Sequence, residues 1–129
     1  MDMAMSYKPV MLLAVLDHVN ANGRAKLADV VRAFRKFYEK REQAGLVVEQ
    51  LKATMARVGE LDDAEVRRTM LANAFEKFER REYLKYDRDL AYVRFGPALW
   101  RQFKGEDLDR LRSVCRQSIT EYYERIGKS

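Results

Sequence analysis

Residues 80–96 contain two short stretches in which apolar and polar side chains alternate. Apolar side chains recur at every second residue in 84–86 and again in 91–95, on either side of the polar turn Asp87-Arg88-Asp89. This alternation predicts a two-stranded hairpin. A lone hairpin is only marginally stable in water, so it must pack on other elements. The rest of the chain has helical patterning, and the sequence therefore predicts a mainly α fold with one β-hairpin, winged-helix-like (winged helix-turn-helix), with an additional C-terminal helix.

Composition favours one cytoplasmic domain. The 129 residues, 47% of them hydrophobic, can bury a core without disulfides, so we predict a single domain over residues 1–129. The formal charge of +5 is a weak indication of a polyanionic partner. A lone cysteine fits a reducing compartment. No apolar run approaches the ~20 residues of a membrane span, and Met1 to Met5 lack the features of a secretion signal.

Helical periodicity predicts the remaining elements. Ser6 is a candidate cap for a nearly all-apolar first helix, and Asp62 with Glu65 has the spacing of a capping box. Residues 43–61 have no clear pattern and are interpreted as an insertion, with a short extended segment and a loose amphipathic helix. The predicted helices are 6–19, 26–42, one beginning at Asp62, a short one around 99–103, and a C-terminal helix over 105–126.

The helix before the hairpin and the hairpin itself correspond to a recognition helix and a wing. On the hairpin, Tyr83 and Tyr92 would share the outward face with the basic residues. On the helix, Glu76 and Glu79 also face outward and would repel phosphates unless paired, so a solvated or protein-binding face is the alternative. The candidate nucleic-acid-binding residues are Arg68, Thr69, Asn73, Arg80, Lys85, Arg88 and Arg94.

A second candidate surface is a protein interface. Arg67 lies within the apolar stripe of its helix, where it extends to solvent, pairs with an acid at the edge of the core or meets a partner, the first being favoured. Tyr122, Tyr123 and Ile126 either clamp the hairpin of the same subunit or form a two-fold interface, whereas Leu108, Leu111 and Cys115 are expected to pack within the chain. The candidate protein-interface residues are Arg67, Ile119, Tyr122, Tyr123 and Ile126.

The predicted second helix also has a basic side. Its four cations have the spacing of a phosphate-contacting stripe, but an ordinary exposed face with Glu39 and Glu42 nearby is the favoured interpretation. These cations are Arg32, Arg35, Lys36 and Lys40.

Catalysis finds little support in the sequence. His18 is the only histidine and Cys115 the only cysteine, so no metal-ligand cluster is expected, and we predict neither cofactor nor metal. An apolar surrounding raises a thiol's pKa, which argues against Cys115 as a nucleophile. Asp62-Asp63 is explained by helix capping, and the six glycines are scattered singly rather than grouped in a phosphate loop. We therefore expect a protein that is not an enzyme.

Four ordered segments of the chain form a recognisable set: Ser6–Leu13, Phe34–Tyr38, Phe75–Leu84 and Val93–Trp100. Together they resemble a small accessory domain found at the ends of bacterial helicase- and restriction-type polypeptides in phage defence. The resemblance spans nearly the whole chain, and its motifs are mainly structural. It implies a non-catalytic module that assists a larger DNA-acting assembly. Helicase and nuclease motifs are missing here, so action on a partner in trans and a free regulator are both open.

Two functions follow as expectations. The first is a non-enzymatic DNA-binding module, a regulator or a defence accessory. The second is a protein-interaction domain that uses the C-terminal helix for oligomerisation or as an adaptor. The partners expected are DNA, a larger helicase or nuclease, or a second copy of the chain, and no membrane.

Overall fold

The computed structural model describes residues 5–81, 83–88 and 91–127. The chain is mainly helical with a small three-stranded antiparallel sheet. Parts of two predictions lie outside the described residues: residues 1–4, which the prediction about a secretion signal concerns, and Glu82, Asp89 and Leu90, which belong to the region of the predicted hairpin. The elements are α1 (Tyr7–His18), β1 (Arg24–Lys26), α2 (Leu27–Gln43), a 3₁₀ helix (Thr54–Glu60), α3 (Asp63–Met70), a π-helical segment (Leu71–Phe75), α4 (Glu76–Arg80), β2 (Leu84–Asp87), β3 (Tyr92–Phe95), α5 (Pro97–Gln102) and α6 (Gly105–Gly127).

The predicted hairpin is present as β2 and β3, and it belongs to a larger sheet. The strand β1, which the sequence did not predict, pairs with the other side of β3, giving the order β1-β3-β2. Ala91, predicted to lie in a strand, is instead in the turn with a φ of 54°. The expectation of a single hairpin is therefore corrected to a three-stranded sheet.

Helix α1 lies at the centre of the molecule. Most of its side chains are buried, because it packs against α2 on one side and α6 on another. The buried side chains of all elements form one hydrophobic cluster, which includes the inward positions Leu84, Val93 and Phe95 of the sheet.

One predicted cap is confirmed and another is wrong. Asp62 and Glu65 form a complete capping box at the start of α3, with Glu65 N donating to Asp62 Oδ1 at 2.8 Å and Asp62 N donating to Glu65 Oε1 at 3.1 Å. Ser6 makes no capping bond to α1. Its hydroxyl is 2.8 Å from that of Tyr38 and also donates to Glu49, because all three side chains are buried together.

The helix before the hairpin is continuous but not uniformly α. Residues Leu71–Phe75 widen to a π-helical turn between α3 and α4, and Leu71 and Phe75 keep helical backbone angles. The region 43–61 is also different from its prediction. The predicted amphipathic helix is instead a 3₁₀ helix over Thr54–Glu60, kinked at Arg57. Residues 46–48 belong to no helix or strand, which is compatible with the predicted extended segment.

Among the described residues, no helix combines the length and the apolar character needed to cross a bilayer.

Candidate nucleic-acid interface

A groove of about 440 Å³ brings together α2, α3 and the turn of the hairpin. The amide of Leu27, the first residue of α2, donates to the carbonyl of Ala91 at 2.9 Å and holds the hairpin turn beside this helix. The groove is lined by Leu27, Ala28, Val31, Arg32, Arg35, Asp63, Ala64, Arg67 and Ala91.

The three arginines of this groove differ in their freedom to bind a ligand. Arg35 is held in place, because it donates to Asp63 at 3.0 Å and to the carbonyl of Leu61 at 2.7 Å. Arg32 pairs with Asp29 at 3.4 Å but remains largely exposed. Arg67 forms no ion pair with any residue that the structure describes. It is exposed beside α2, which corrects its predicted place within the apolar stripe.

Two more cations of the predicted α2 stripe are exposed. Lys36 and Lys40 lie on the solvent side of the helix, as both interpretations of the stripe require. Their exposure does not discriminate between a phosphate-contacting stripe and a solvated face.

The predicted base-contacting residues of the helix do not form one outward row. Arg68 is exposed, and within the described chain no acid pairs with it. Asn73 is exposed, and its Nδ2 donates to the carbonyl of Thr69 at 2.9 Å. Thr69 itself is buried, and its hydroxyl donates to the carbonyl of Glu65 at 2.8 Å, which satisfies its polar atom inside the protein. The prediction that Thr69 faces a ligand is therefore corrected.

The acidic residues on this helix are partly neutralised. Arg80 forms an ion pair with Glu76 one turn earlier, so neither charge faces a ligand alone. Glu79 lies at the edge of a hollow that also contains Lys85 and Arg94. The repulsion expected from the sequence is smaller than two free carboxylates would give.

The outward face of the sheet is strongly basic. Lys85 of β2 is directly opposite Arg94 of β3, and Arg94 is directly opposite Arg24 of β1. These three cations form a row across the sheet. Arg88 lies at the turn with its guanidinium 5.8 Å from the centre of the Tyr86 ring. Arg24 was not predicted as a site residue, because it joins the row only when β1 pairs with β3.

Two hollows flank this row and share Arg94. The first, of about 490 Å³, is lined by Glu79, Lys85, Tyr86, Asp87, Arg88 and Arg94. The second, of about 330 Å³, is lined by Asn22, Arg24, Arg94, Phe95, Pro97, Trp100 and Arg101. The second hollow has three arginines and no acid among its lining residues.

Most of the predicted protein-interface residues are buried inside the chain. Ile119, Tyr122 and Tyr123 have at most a tenth of their surface exposed, and Ile126 is half-buried. Tyr123 packs on Phe37 of α2 and donates to the carbonyl of Val48 at 2.6 Å, rather than contacting the hairpin. Tyr122 and Tyr123 therefore pack within the chain rather than on the hairpin, whereas Ile126 keeps part of its surface exposed.

A buried polar network, which sequence analysis did not predict, lies at this end of the molecule. The carboxylate of Glu49, only 3% exposed, accepts from the amide and hydroxyl of Ser6, the amide of Gln50 and the hydroxyl of Tyr122. The network connects the first described residues, the 46–53 segment and α6. Among the described residues, no buried side-chain nitrogen or oxygen lacks a hydrogen-bond partner.

The pKa values of the buried tyrosines and of the Cys115 thiol are raised. Burial is the main cause that raises the pKa of Tyr38, Tyr122 and Tyr123, and hydrogen bonding to Glu49 raises that of Tyr122 further. Burial also raises the pKa of the Cys115 thiol to about 11, as the sequence predicted in direction. These groups stay neutral near pH 7, so none is an activated nucleophile.

The remaining candidates for chemistry are dispersed. His18 is exposed at the end of α1. In the part of the chain that the structure describes, no three His, Cys, Asp or Glu side chains group as metal ligands do.

Exposed apolar side chains are grouped in the 46–51 segment. Leu51 is 95% exposed, and Leu46 and Val47 are about half exposed. Val47 and Leu51 border a hollow of about 690 Å³, which is also lined by Ile126 and by the polar or charged residues Glu49, Gln50, Lys52 and Arg125. We call Leu46, Val47, Leu51 and Ile126 the apolar patch.

Comparisons with models of known families, with curated proteins and with solved structures returned no match.

Proposed function

We propose that this protein is a non-enzymatic DNA-binding module of the winged-helix type, a regulator or an accessory subunit of a DNA-acting system. The main support is topological. The order α1-β1-α2-α3-β2-β3, with β1 added to the hairpin in the order β1-β3-β2, is typical of a winged helix-turn-helix. In this interpretation α3 with its continuation is the recognition helix, and the β2–β3 turn is the wing.

Charge supports the same surface. Arg32 and Arg67 line the groove in which α2, α3 and the wing turn meet, and Arg88 lies on the wing. Cations that converge from three elements are suited to hold a duplex by its phosphates, which supply most of the affinity and fix the orientation.

The helix contributes a narrower set of base contacts than the sequence predicted. Arg68 is exposed and free of ion pairs with described residues, so we assign it the base-reading role, for which arginine is well suited because it pairs with guanine O6 and N7. Asn73 and Arg80 are held by Thr69 and Glu76 and serve as secondary contacts. Thr69 is not proposed as a base contact, because it is buried.

A paired-variant experiment tests the proposal. Replacing two exposed arginines of α3, R67Q with R68Q, should weaken binding of a fluorescent 20-base-pair duplex by about tenfold or more, since each lost contact costs about 1–3 kcal/mol. The control, R110Q with R116Q, removes the same charge from two exposed positions on α6. Equal effects of the two pairs would show that only general charge matters and would overturn the proposed surface.

The second candidate function is protein interaction, and the apolar patch is the observation that favours it. Leu51 is almost fully exposed, and Val47 and Leu46 of the same segment are about half exposed. Exposed apolar side chains that lie close together often mark an interface. We propose self-association as its form. Light scattering of the wild type and of L51E decides: a dimer that becomes a monomer in L51E supports it, and a monomeric wild type contradicts it.

A further inference from the structure

The cation row across the sheet is unfavourable in the isolated protein. Arg24, Arg94 and Lys85 occupy directly paired positions, where side chains lie about 5 Å apart and like charges repel. None of the three forms an ion pair with a described residue, but Glu79 and Asp87 line the hollow beside Lys85 and Arg94, so the repulsion that we infer is strongest between Arg24 and Arg94. A row of this kind is relieved when an anion lies between its members.

The acid-free hollow beside this row has the chemistry of a phosphate site. Arg24 and Arg94 enter it from two strands, Arg101 enters from α5, and Asn22 adds an amide. Arg101 is oriented by a hydrogen bond from its Nε to the carbonyl of Pro97 at 3.3 Å. Because a guanidinium group can donate two parallel hydrogen bonds to phosphate oxygens, converging arginines favour this anion over a neutral ligand.

The aromatic side of the hollow is not available to stack on a base. The Trp100 ring stacks on Phe95 with centroids 5.6 Å apart, and its Nε1 donates to the carbonyl of Ala21 at 3.2 Å. Gly23 packs against the same ring so closely that an added Cβ would lie 2.6 Å from it. The hollow therefore recognises charge and not base identity.

We propose that the outward sheet face, Arg24, Arg94, Arg101 and Lys85, is a second nucleic-acid contact that binds the phosphodiester backbone without reading sequence. It rests on the proposed DNA-binding function and extends it beyond the helix and the wing turn. One phosphate lies between Arg24, Arg94 and Arg101 in the acid-free hollow. Lys85 attracts the neighbouring phosphate from the other hollow, whose lining also includes Glu79 and Asp87. The DNA strand is thereby held across the sheet, and α3 is oriented on the duplex.

The test compares two double variants of the full chain, R24Q with R94Q and the control R110Q with R116Q. Binding of a fluorescent 20-base-pair duplex is titrated at several salt concentrations. The sheet variant should lower the slope of log K against log salt by about 1 to 2, as expected for one or two lost phosphate contacts. It should weaken unrelated duplex sequences by the same factor, and the control should leave the slope unchanged. Circular dichroism verifies that both variants are folded.

The outcomes distinguish the sheet site from the proposed groove surface. If the duplex binds and the sheet variant matches the control, the sheet site is wrong and the groove proposal stands. If the sheet variant loses binding but R67Q with R68Q does not, the sheet site stands and the groove proposal is wrong. A wild type that binds no duplex overturns both. Inorganic pyrophosphate and DNA are also compared by their effect on the melting temperature. If pyrophosphate raises it, the sheet variant abolishes that rise and DNA causes none, the site binds a small phosphate compound and the backbone proposal is wrong.

Discussion

At the scale of single residues, Gly23 is the position that the fold constrains most tightly. Its φ is +74°, and an added Cβ would lie 2.6 Å from the Trp100 ring. We expect G23A to lower the free energy of unfolding by about 2–4 kcal/mol, since a left-handed backbone and a steric clash both oppose the methyl group. The measurement is urea denaturation.

Gly45 is the matched control for this prediction. It has a similar φ of +70°, but a Cβ added there would have no neighbouring atom within 4 Å. G45A should therefore cost only the backbone part, about 1–2 kcal/mol. Equal losses for the two variants would show that the contact with Trp100 is unimportant.

Residue-scale prediction from sequence succeeded where the chemistry is local and failed where it depends on distant partners. The capping pair Asp62 and Glu65 lies within one helical turn and was predicted correctly. Ser6 was assigned a local cap, whereas its actual partners Tyr38 and Glu49 are 32 and 43 residues away. No spacing rule could have found them.

At the scale of elements, the sequence predicted most helices and the hairpin but not how they join. The strand β1 has only three residues, too few to show alternation, and it exists because β3 offers it a paired edge. The π-helical turn over Leu71–Phe75 changes the helical phase, which a uniform helical wheel cannot represent. A wheel of constant period therefore placed Thr69 outward and Arg67 inward, the reverse of their positions.

The sheet provides an element-scale prediction about stability. R94Q should stabilise the protein without ligand by about 0.2–1 kcal/mol, because it removes the central charge of a row of three cations. The comparison is K26Q, which removes a cation from β1 whose cross-strand neighbour is Tyr92. Thermal unfolding at low salt measures both. A loss of stability in R94Q that exceeds the loss in K26Q would contradict the repulsion that we infer.

At the scale of the whole molecule, the buried network around Glu49 connects both ends of the described chain. The region 46–53 lacks a sheet or an α-helix of its own and is held by side-chain hydrogen bonds to the start of α1 and the end of α6. Sequence analysis left this region as an insertion of unknown role. Its structural role follows from the network, and the apolar patch is what it presents to solvent.

The same burial predicts a decline of stability in alkali. The Cys115 thiol has a pKa of about 11 in the folded protein against 9.0 ordinarily, and the pKa of the buried tyrosines is raised above 10.0. Between these values the folded protein binds more protons than the unfolded chain, so stability is retained below pH 9 and falls as pH rises. The thiol alone should contribute a slope of up to about 1.4 kcal/mol per pH unit between pH 9 and 11.

Urea midpoints from pH 8 to 11 measure this decline. C115A should lose the part that begins near pH 9 and keep the tyrosine part above pH 10. A midpoint that stays constant to pH 11 in the wild type would show that these groups are not buried as described.

Binding of DNA by the wild-type protein is the most direct measurement of the central claim, that the basic residues of the groove, the wing and the sheet hold nucleic acid by its phosphates. Fluorescence anisotropy with a 20-base-pair duplex should show a complex at ~50 mM salt that weakens about a hundredfold to a thousandfold at ~200 mM, as roughly five phosphate contacts require. Absence of a complex with duplex or single-stranded DNA at low salt, or an affinity that does not change with salt, would contradict the account.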